Sequence, residues 1–265
     1  PLPDAPWAPD DYLGNGGILG LDGDRYLAAV DVVVGIQSVY DVHEVAALVA
    51  LRDAHSLPGY VLAAPFRTVL SWWGERRRLQ MLHAAAVGVD GRAVVIAGIS
   101  GAGKSSVAFA CLRAGLRYLG DDYVMAGGEG MPSVFSLYSS GKLDRDNLRQ
   151  RLPELLSAFG TSRLDHEKDV IFVHRHWPEM TASSLPLHAI VLPSIGEHSR
   201  SDLRPVSPAA VLRALLPHSL FPLPGARQHT FQRLAHIVRA VPCFELQVGE
   251  DLAEAPALVE RASRS

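Results

Sequence analysis

Along this 265-residue chain, short apolar runs of strand character alternate with stretches of helical spacing. "HAAAVGVDGRAVVIAG" holds two apolar runs around Asp90-Gly91, a strong signal for a two-residue hairpin turn. "KSSVAFACLRAG" then repeats at helical spacing and stops at Gly115, a C-cap residue. "LRYLGDDYVMAGG" is a further strand region, broken by Gly127-Gly128. Upstream, "RYLAAVDVVVGI" reads as a strand, and "TVLSWWGERRRLQML" as an amphipathic helix ending near Leu82. Downstream, "SLYSSGKLDRDNLRQRLPELLSAF" predicts a loop running into one or two helices. "DVIFVHRHW", "LHAIVLPSI" and "CFELQVG" read as strands, and "PAAVLRALLPHSL", "TFQRLAHIVRAV" and "APALVERAS" as helices. Such mixing argues for an α/β chain around one main sheet. A boundary is expected near residue 80. It separates a small mixed α+β lobe, residues 1–80, from a core domain, residues 81–265, on which the lobe packs.

Composition narrows the class. Apolar residues are 48% and charged residues 20%, as in an ordinary globular protein. A formal net charge of −3 gives no global attraction to nucleic acid or anionic lipid. No apolar run is long enough for a transmembrane helix, and the acidic, proline-rich "PLPDAPWAPDD" is wrong for a signal peptide. Cys111 and Cys243 form no framework or metal pattern and read as buried small hydrophobes in a reducing cytoplasm. Only three of the 25 basic residues are lysines: Lys104, Lys142 and Lys168. A lysine in an arginine-rich background marks a place where a compact point charge is wanted.

Lys104 lies in "GISGAGKS", which fits G-x-x-x-x-G-K-[ST] with Gly98, Gly103, Lys104 and Ser105 at the fixed places. Glycines let the backbone curl so that successive N–H groups point at phosphate oxygens. The following helix adds its unpaired N–H groups and positive dipole end. The nucleotide-binding set is therefore Gly98, Ser100, Gly101, Ala102, Gly103, Lys104, Ser105 and Ser106. Lys104 reaches the β- and γ-phosphates, and the Ser105 hydroxyl ligates Mg2+. A strand before the pattern and a helix after it are its required context.

Asp121 and Asp122 end the strand that follows the loop helix. In a parallel α/β sheet that end faces the ligand. One carboxylate there can hold Mg2+, directly or through water. The other can take a proton from an attacking hydroxyl, and repulsion between the two raises one pKa and suits it to that task. His83 stands one hairpin away, placed to reach the same end of the sheet. Lys142 and Lys168 are candidates for contact with a transferred phosphoryl group or an acidic substrate. "HRHW" has metal-binding residue types but no third ligand at a convincing spacing. The arginines of "WWGERRRLQ" read as a solvated helix face.

His83, "GISGAGKSS" and "LRYLGDD" together, with both spacings, resemble the HPr kinase/phosphorylase family. The resemblance is specific over residues 83–124 and diffuse beyond. It implies a P-loop-containing, HPr-kinase-like core sheet, related to that of phosphoenolpyruvate carboxykinase and flanked by helices. It also implies ATP and Mg2+ as cofactors. Asp121 would be the base for a substrate serine and Asp122 the support for Mg2+ and phosphate geometry, with His83 beside the catalytic aspartate. Two features depart from the family. Ser106 stands where it usually has Glu, and its downstream Glu-Ile-Arg-Gly-like segment is missing. The chain looks more like compact HPr-kinase-like proteins, including kinases of lasso-peptide precursors, and free-serine kinases are relatives. The expectation is a cytoplasmic kinase acting on a serine-bearing peptide or protein, or on free serine. Relatives form homo-oligomers. The alternatives are an ATP-holding regulatory module and, more weakly, a small-metabolite kinase of the nucleoside-monophosphate type.

Overall fold

A computed structural model describes residues 16–158, 168–195, 199–219 and 228–265. The acidic stretch at the N-terminus and the end of "PELLSAF" lie outside the described residues. The first strands are β1 (Gly17–Asp22), β2 (Tyr26–Asp31), β3 (Ile36–Asp41) and β4 (Ala46–Leu51), paired in that order as an antiparallel sheet. Two of its turns repeat one device. The Asp31 carboxylate accepts from the N–H groups of Val33 and Val34, and Asp41 does the same for His43 and Glu44. A short polar side chain folding back on its own backbone is what sets such turns. The sequence reading saw one strand in this region, since β4 has no alternation and lies at an edge.

Next come two helices, α1 (Gly59–Ala63) and α2 (Arg67–Arg76), and β5 (Leu79–Leu82). Trp72 of α2 is buried against Leu27, Ala29 and Tyr40, which fixes the four-stranded sheet to this helix. The helix expected to run to Leu82 stops at Arg76. Arg78 takes a left-handed backbone (φ 59), and the apolar run after it pairs with a strand of the main sheet. Burial in a ladder overrides helical spacing here.

The main sheet has nine strands. After β5 these are β6 (Ala85–Val89), β7 (Arg92–Ile96), β8 (Arg117–Gly120), β9 (Val124–Gly127) and β10 (Ser133–Ser136). A separate ladder joins β11 (Ser140–Leu143) to β12 (Asp169–Phe172). The main sheet is completed by β13 (Ser184–Ile195), β14 (Asp202–Pro205) and β15 (Cys243–Val248). The remaining helices are α3 (Lys104–Arg113), α4 (Arg145–Arg151), α5 (Val173–His176), α6 (Pro208–Ser219), α7 (Gln228–Arg239) and α8 (Ala255–Ser263).

Strand β13 joins the halves of the sheet: its first residues pair antiparallel with β10, and the rest runs parallel to β7 and β15. The expected hairpin is present, with Asp90 and Gly91 both at positive φ (48 and 77), the geometry of a type I′ turn. Alternation along β7 divides the core. Val94 and Ile96 pack with α3 and α8, while Ala93, Val95 and Ala97 face α6 and α7. The result is a sheet between two helical layers. Among the described residues no helix is long and apolar enough to cross a membrane.

Candidate active site

The glycine loop connects the end of β7 to the start of α3, the strand–loop–helix setting its pattern requires. Gly98, Gly101 and Gly103 all have positive φ. At Gly103 an added Cβ would also lie 2.4 Å from Cδ1 of Ile195 at the end of β13, whose side chain would have to shift. Lys104 is buried, and its Nζ donates to the carbonyl oxygens of Gly98 and Ile99, each at 3.0 Å. Burial lowers the Lys104 pKa, the charges of Asp121 and Asp122 work against that, and Lys168 adds to it. Lys168, just before β12, thus sits within electrostatic reach of the loop. The Ser106 hydroxyl is buried and accepts from Asn147 of α4, so only its backbone is free to face a phosphate.

β8 carries the aspartate pair to this loop. It runs antiparallel to β6, which runs antiparallel to β7. Two reversals make β7 and β8 point the same way, so loop and aspartates share one edge of the sheet. Asp121 is almost fully buried, 1% exposed. Its Oδ1 accepts from the Ser105 hydroxyl at 3.0 Å and its Oδ2 from the Lys142 backbone N–H at 3.1 Å. Burial, and then the charge of Asp122, push its pKa up against those hydrogen bonds. Asp122 takes the opposite course. Burial would raise it too, but His83 and Lys142 outweigh burial and hold its carboxyl well below the usual range. Two neighbouring carboxyls pushed apart in this way are the pattern of an acid–base assignment. Asp122 also has a left-handed backbone, φ 66, a mild strain of the kind that collects at functional sites.

Lys142, a secondary suspect in the sequence, serves both aspartates: its N–H bonds Asp121 and its ammonium pairs with Asp122. It lies on β11, where a loop was expected. Tyr118 of β8 fixes that strand by donating its buried hydroxyl to the Ser140 carbonyl at 2.8 Å.

His83 lies between β5 and β6, where its N–H donates to the Ser219 hydroxyl at 3.0 Å. Its Nε2 is 3.6 Å from Asp122 Oδ1. His218, near the end of α6, has its ring 5.3 Å from that of His83, centre to centre, and tilted to it by 42°. Burial, with His83 and Lys104 nearby, lowers its pKa. Nothing local in "LLPHSL" signals that role, because only the packing of α6 brings His218 to the site.

Ser105 reaches Asp121, whereas Asp122 is committed to Lys142 and His83. The Ser105 hydroxyl is a hard oxygen at the start of the loop helix and suits a small hard cation such as Mg2+, which keeps several waters and completes its shell with phosphate oxygens. Among the described residues no group of three or more His, Cys, Asp or Glu side chains could hold a metal by itself. The "HRHW" histidines lie on α5. Cys111 and Cys243 are both buried free thiols, the latter pushed up to about 11 by burial.

No protein-family model matches this sequence, and no curated protein matches it. Among solved structures, the chain is similar to the Hpr(Ser) kinase/phosphatase from Coxiella burnetii. The identity is 13%, the match covers 70% of this chain and 94% of that one, and the TM-score is 0.39.

Proposed function

We propose that this protein is an ATP- and Mg2+-dependent kinase that transfers the γ-phosphoryl group to a serine hydroxyl of a peptide or protein. The observation that carries the reading is the buried Asp121, with its raised pKa, bonded to the hydroxyl of the glycine loop. In this reading the loop N–H groups and Lys104 hold the nucleotide phosphates. Asp121 takes the proton as the serine oxygen forms its bond to the γ-phosphorus and the bond to the β-phosphate oxygen breaks, releasing ADP. Bound Mg2+ would supply charge neutralisation at the transferring phosphoryl group. Ser105 would be its protein ligand, with phosphate oxygens and water completing the shell; Asp122, expected from sequence as a second ligand, is held by Lys142 and His83 instead. Asp122 stays ionised between Lys142 and His83 and holds Lys142 in place. The resemblance over residues 83–124 supports the same chemistry and extends it to the lasso-peptide precursor kinases, with free serine as a smaller acceptor.

Mass spectrometry of ATP/Mg2+ reactions offered free serine and serine peptides tests this, with Asp121→Asn as control. A phosphoryl mass gain lost in the variant is the expected result. Tight ATP binding with no acceptor-dependent ADP release would instead make the chain a regulatory nucleotide-holding module.

A further inference from the structure

A cavity of about 610 Å3 lies between the four-stranded sheet and the segment joining α1 to α2. Its walls are mostly apolar, including Val30, Ile36, Val49 and Val61. Val32 and Phe66, also in its lining, are 62% and 59% exposed. Phe66 holds this position with a left-handed backbone, φ 58, which costs a non-glycine residue about 1 kcal/mol or more. Exposed apolar groups and local strain around a concave surface mark a binding site.

Two charged residues line the cavity. Asp31 is committed to its own turn through the Val33 and Val34 N–H groups. Arg67 has no ion-pair partner among the described residues. Its guanidinium lies 5.3 Å from the Tyr60 ring and 6.0 Å from that of Tyr123, the residue after Asp122. The wall that carries Arg67 is bonded to the aspartate site, since the Tyr138 hydroxyl donates to the Pro65 carbonyl and the Ser140 hydroxyl to that of Ala63. Ser140 opens the strand that holds Lys142. The cavity and the aspartates are thus neighbours across one wall, with Arg67 at the junction.

We propose that this cavity is the acceptor subsite, and that its occupant is a peptide segment with an acidic side chain for Arg67 and an apolar side chain beyond it for the cavity. The proposal rests on the kinase reading for the identity of the acceptor. Charge complementarity names the acidic group, because a guanidinium that has aromatic neighbours and the Tyr123 hydroxyl but no carboxylate partner among the described residues is a carboxylate receptor. Position makes it a side chain: Arg67 stands at the junction and the apolar walls lie beyond it, so a segment that fills the cavity continues past the guanidinium. The cavity walls name the apolar group.

The test is fluorescence anisotropy with C-terminally amidated serine peptides. In the library, Glu is one to four residues from the serine, and Leu or Phe one to four residues beyond the Glu. Glu→Gln in the best binder is expected to weaken binding about tenfold or more in the wild type, and hardly at all in Arg67→Gln. Val49→Trp, which fills the cavity, should remove the advantage of Leu or Phe over Gln. Both variants should bind ATP as the wild type does. Peptide binding blind to both features, or a Glu preference that survives Arg67→Gln, overturns the proposal. If a free C-terminal carboxylate replaces the need for Glu, the side-chain assignment is wrong. Because the readout is binding, a parallel failure of phosphoryl transfer would count against the kinase reading while leaving the peptide selectivity standing.

Discussion

The Ser105 hydroxyl and the Asp121 carboxylate meet at 3.0 Å, so the glycine loop is bonded directly to the group that acts as base in the proposed transfer. Asp121→Asn is therefore expected to lower phosphoryl transfer by about 10^2- to 10^4-fold, the usual contribution of a general base, while ATP affinity changes little. The same variant should be more stable. A carboxyl whose pKa is raised by folding contributes fully below its unfolded pKa, and loses that contribution as pH rises through the folded value. At pH 7, above the unfolded value, burying Asp121 is thus a net cost to folding, which the amide removes. Its oxygen can still accept from Lys142 N–H, and its NH2 can donate to the Ser105 oxygen. Thermal unfolding at pH 7 should show a higher Tm for the variant; a fall would mean the charge is stabilised by more than is seen here.

The pH–rate profile follows from the same pair. Asp121 must be ionised to accept a proton, so activity should fall on the acid side along a limb lying above the ordinary carboxylate range. The Asp122 charge is one of the causes of that rise. Asp122→Asn should move the limb to lower pH, whatever it does to the plateau rate. An unmoved limb, or one shifted upward, would assign it to another group.

How far the site could be read in advance depended on distance along the chain. Gly98 to Ser105, the Asp90-Gly91 hairpin and the aspartate pair all lie within one continuous unit, where spacing and backbone geometry nearly determine position. Lys142 was marked only by the scarcity of lysine, and its strand was hidden because "SSGKL" has no alternation and pairs with β12 across a long insertion. His218 and Arg67 come from separate elements, and only tertiary packing brings them to His83 and Tyr123. At Leu79–Leu82 the helical spacing misled, because the partner strand β9 is decided elsewhere in the chain.

The Asp122–Lys142 pair is mostly buried, with side-chain exposures of 19% and 13%. Removing one partner of such a pair strands the other and should cost about 3 kcal/mol. Lys142→Met and Asp122→Asn are each expected to lower stability to urea. The double variant should lose clearly less than the two losses added. Asp122 also has the opposite pH sign to Asp121: its depressed pKa stabilises above the unfolded value, and that contribution goes as pH falls through the folded one. Between those two values Asp122→Asn should therefore lose progressively less relative to wild type. Additive losses at neutral pH would show that the two charges are not energetically coupled.

Gly103 separates two reasons for a glycine in this loop. An added Cβ would lie 2.4 Å from Cδ1 and 2.8 Å from Cγ1 of Ile195, and the backbone stands at φ +98. Gly103→Ala thus meets a clash and a strained conformation at once, and should lower both Tm and ATP affinity. Ile195→Ala removes the clash but leaves the backbone as it is. Ile195 is only half-buried, so that variant alone should cost little. Combined with Gly103→Ala it should restore part of the loss and no more, with the remainder, about 1 kcal/mol or more, reflecting the left-handed backbone. Calorimetry and ATP titration of the four proteins measure the division. Full restoration would mean the loop can relax its backbone. No restoration would mean that Ile195 does not shape the loop, and that the end of β13 is not the wall against which the phosphate cradle is formed.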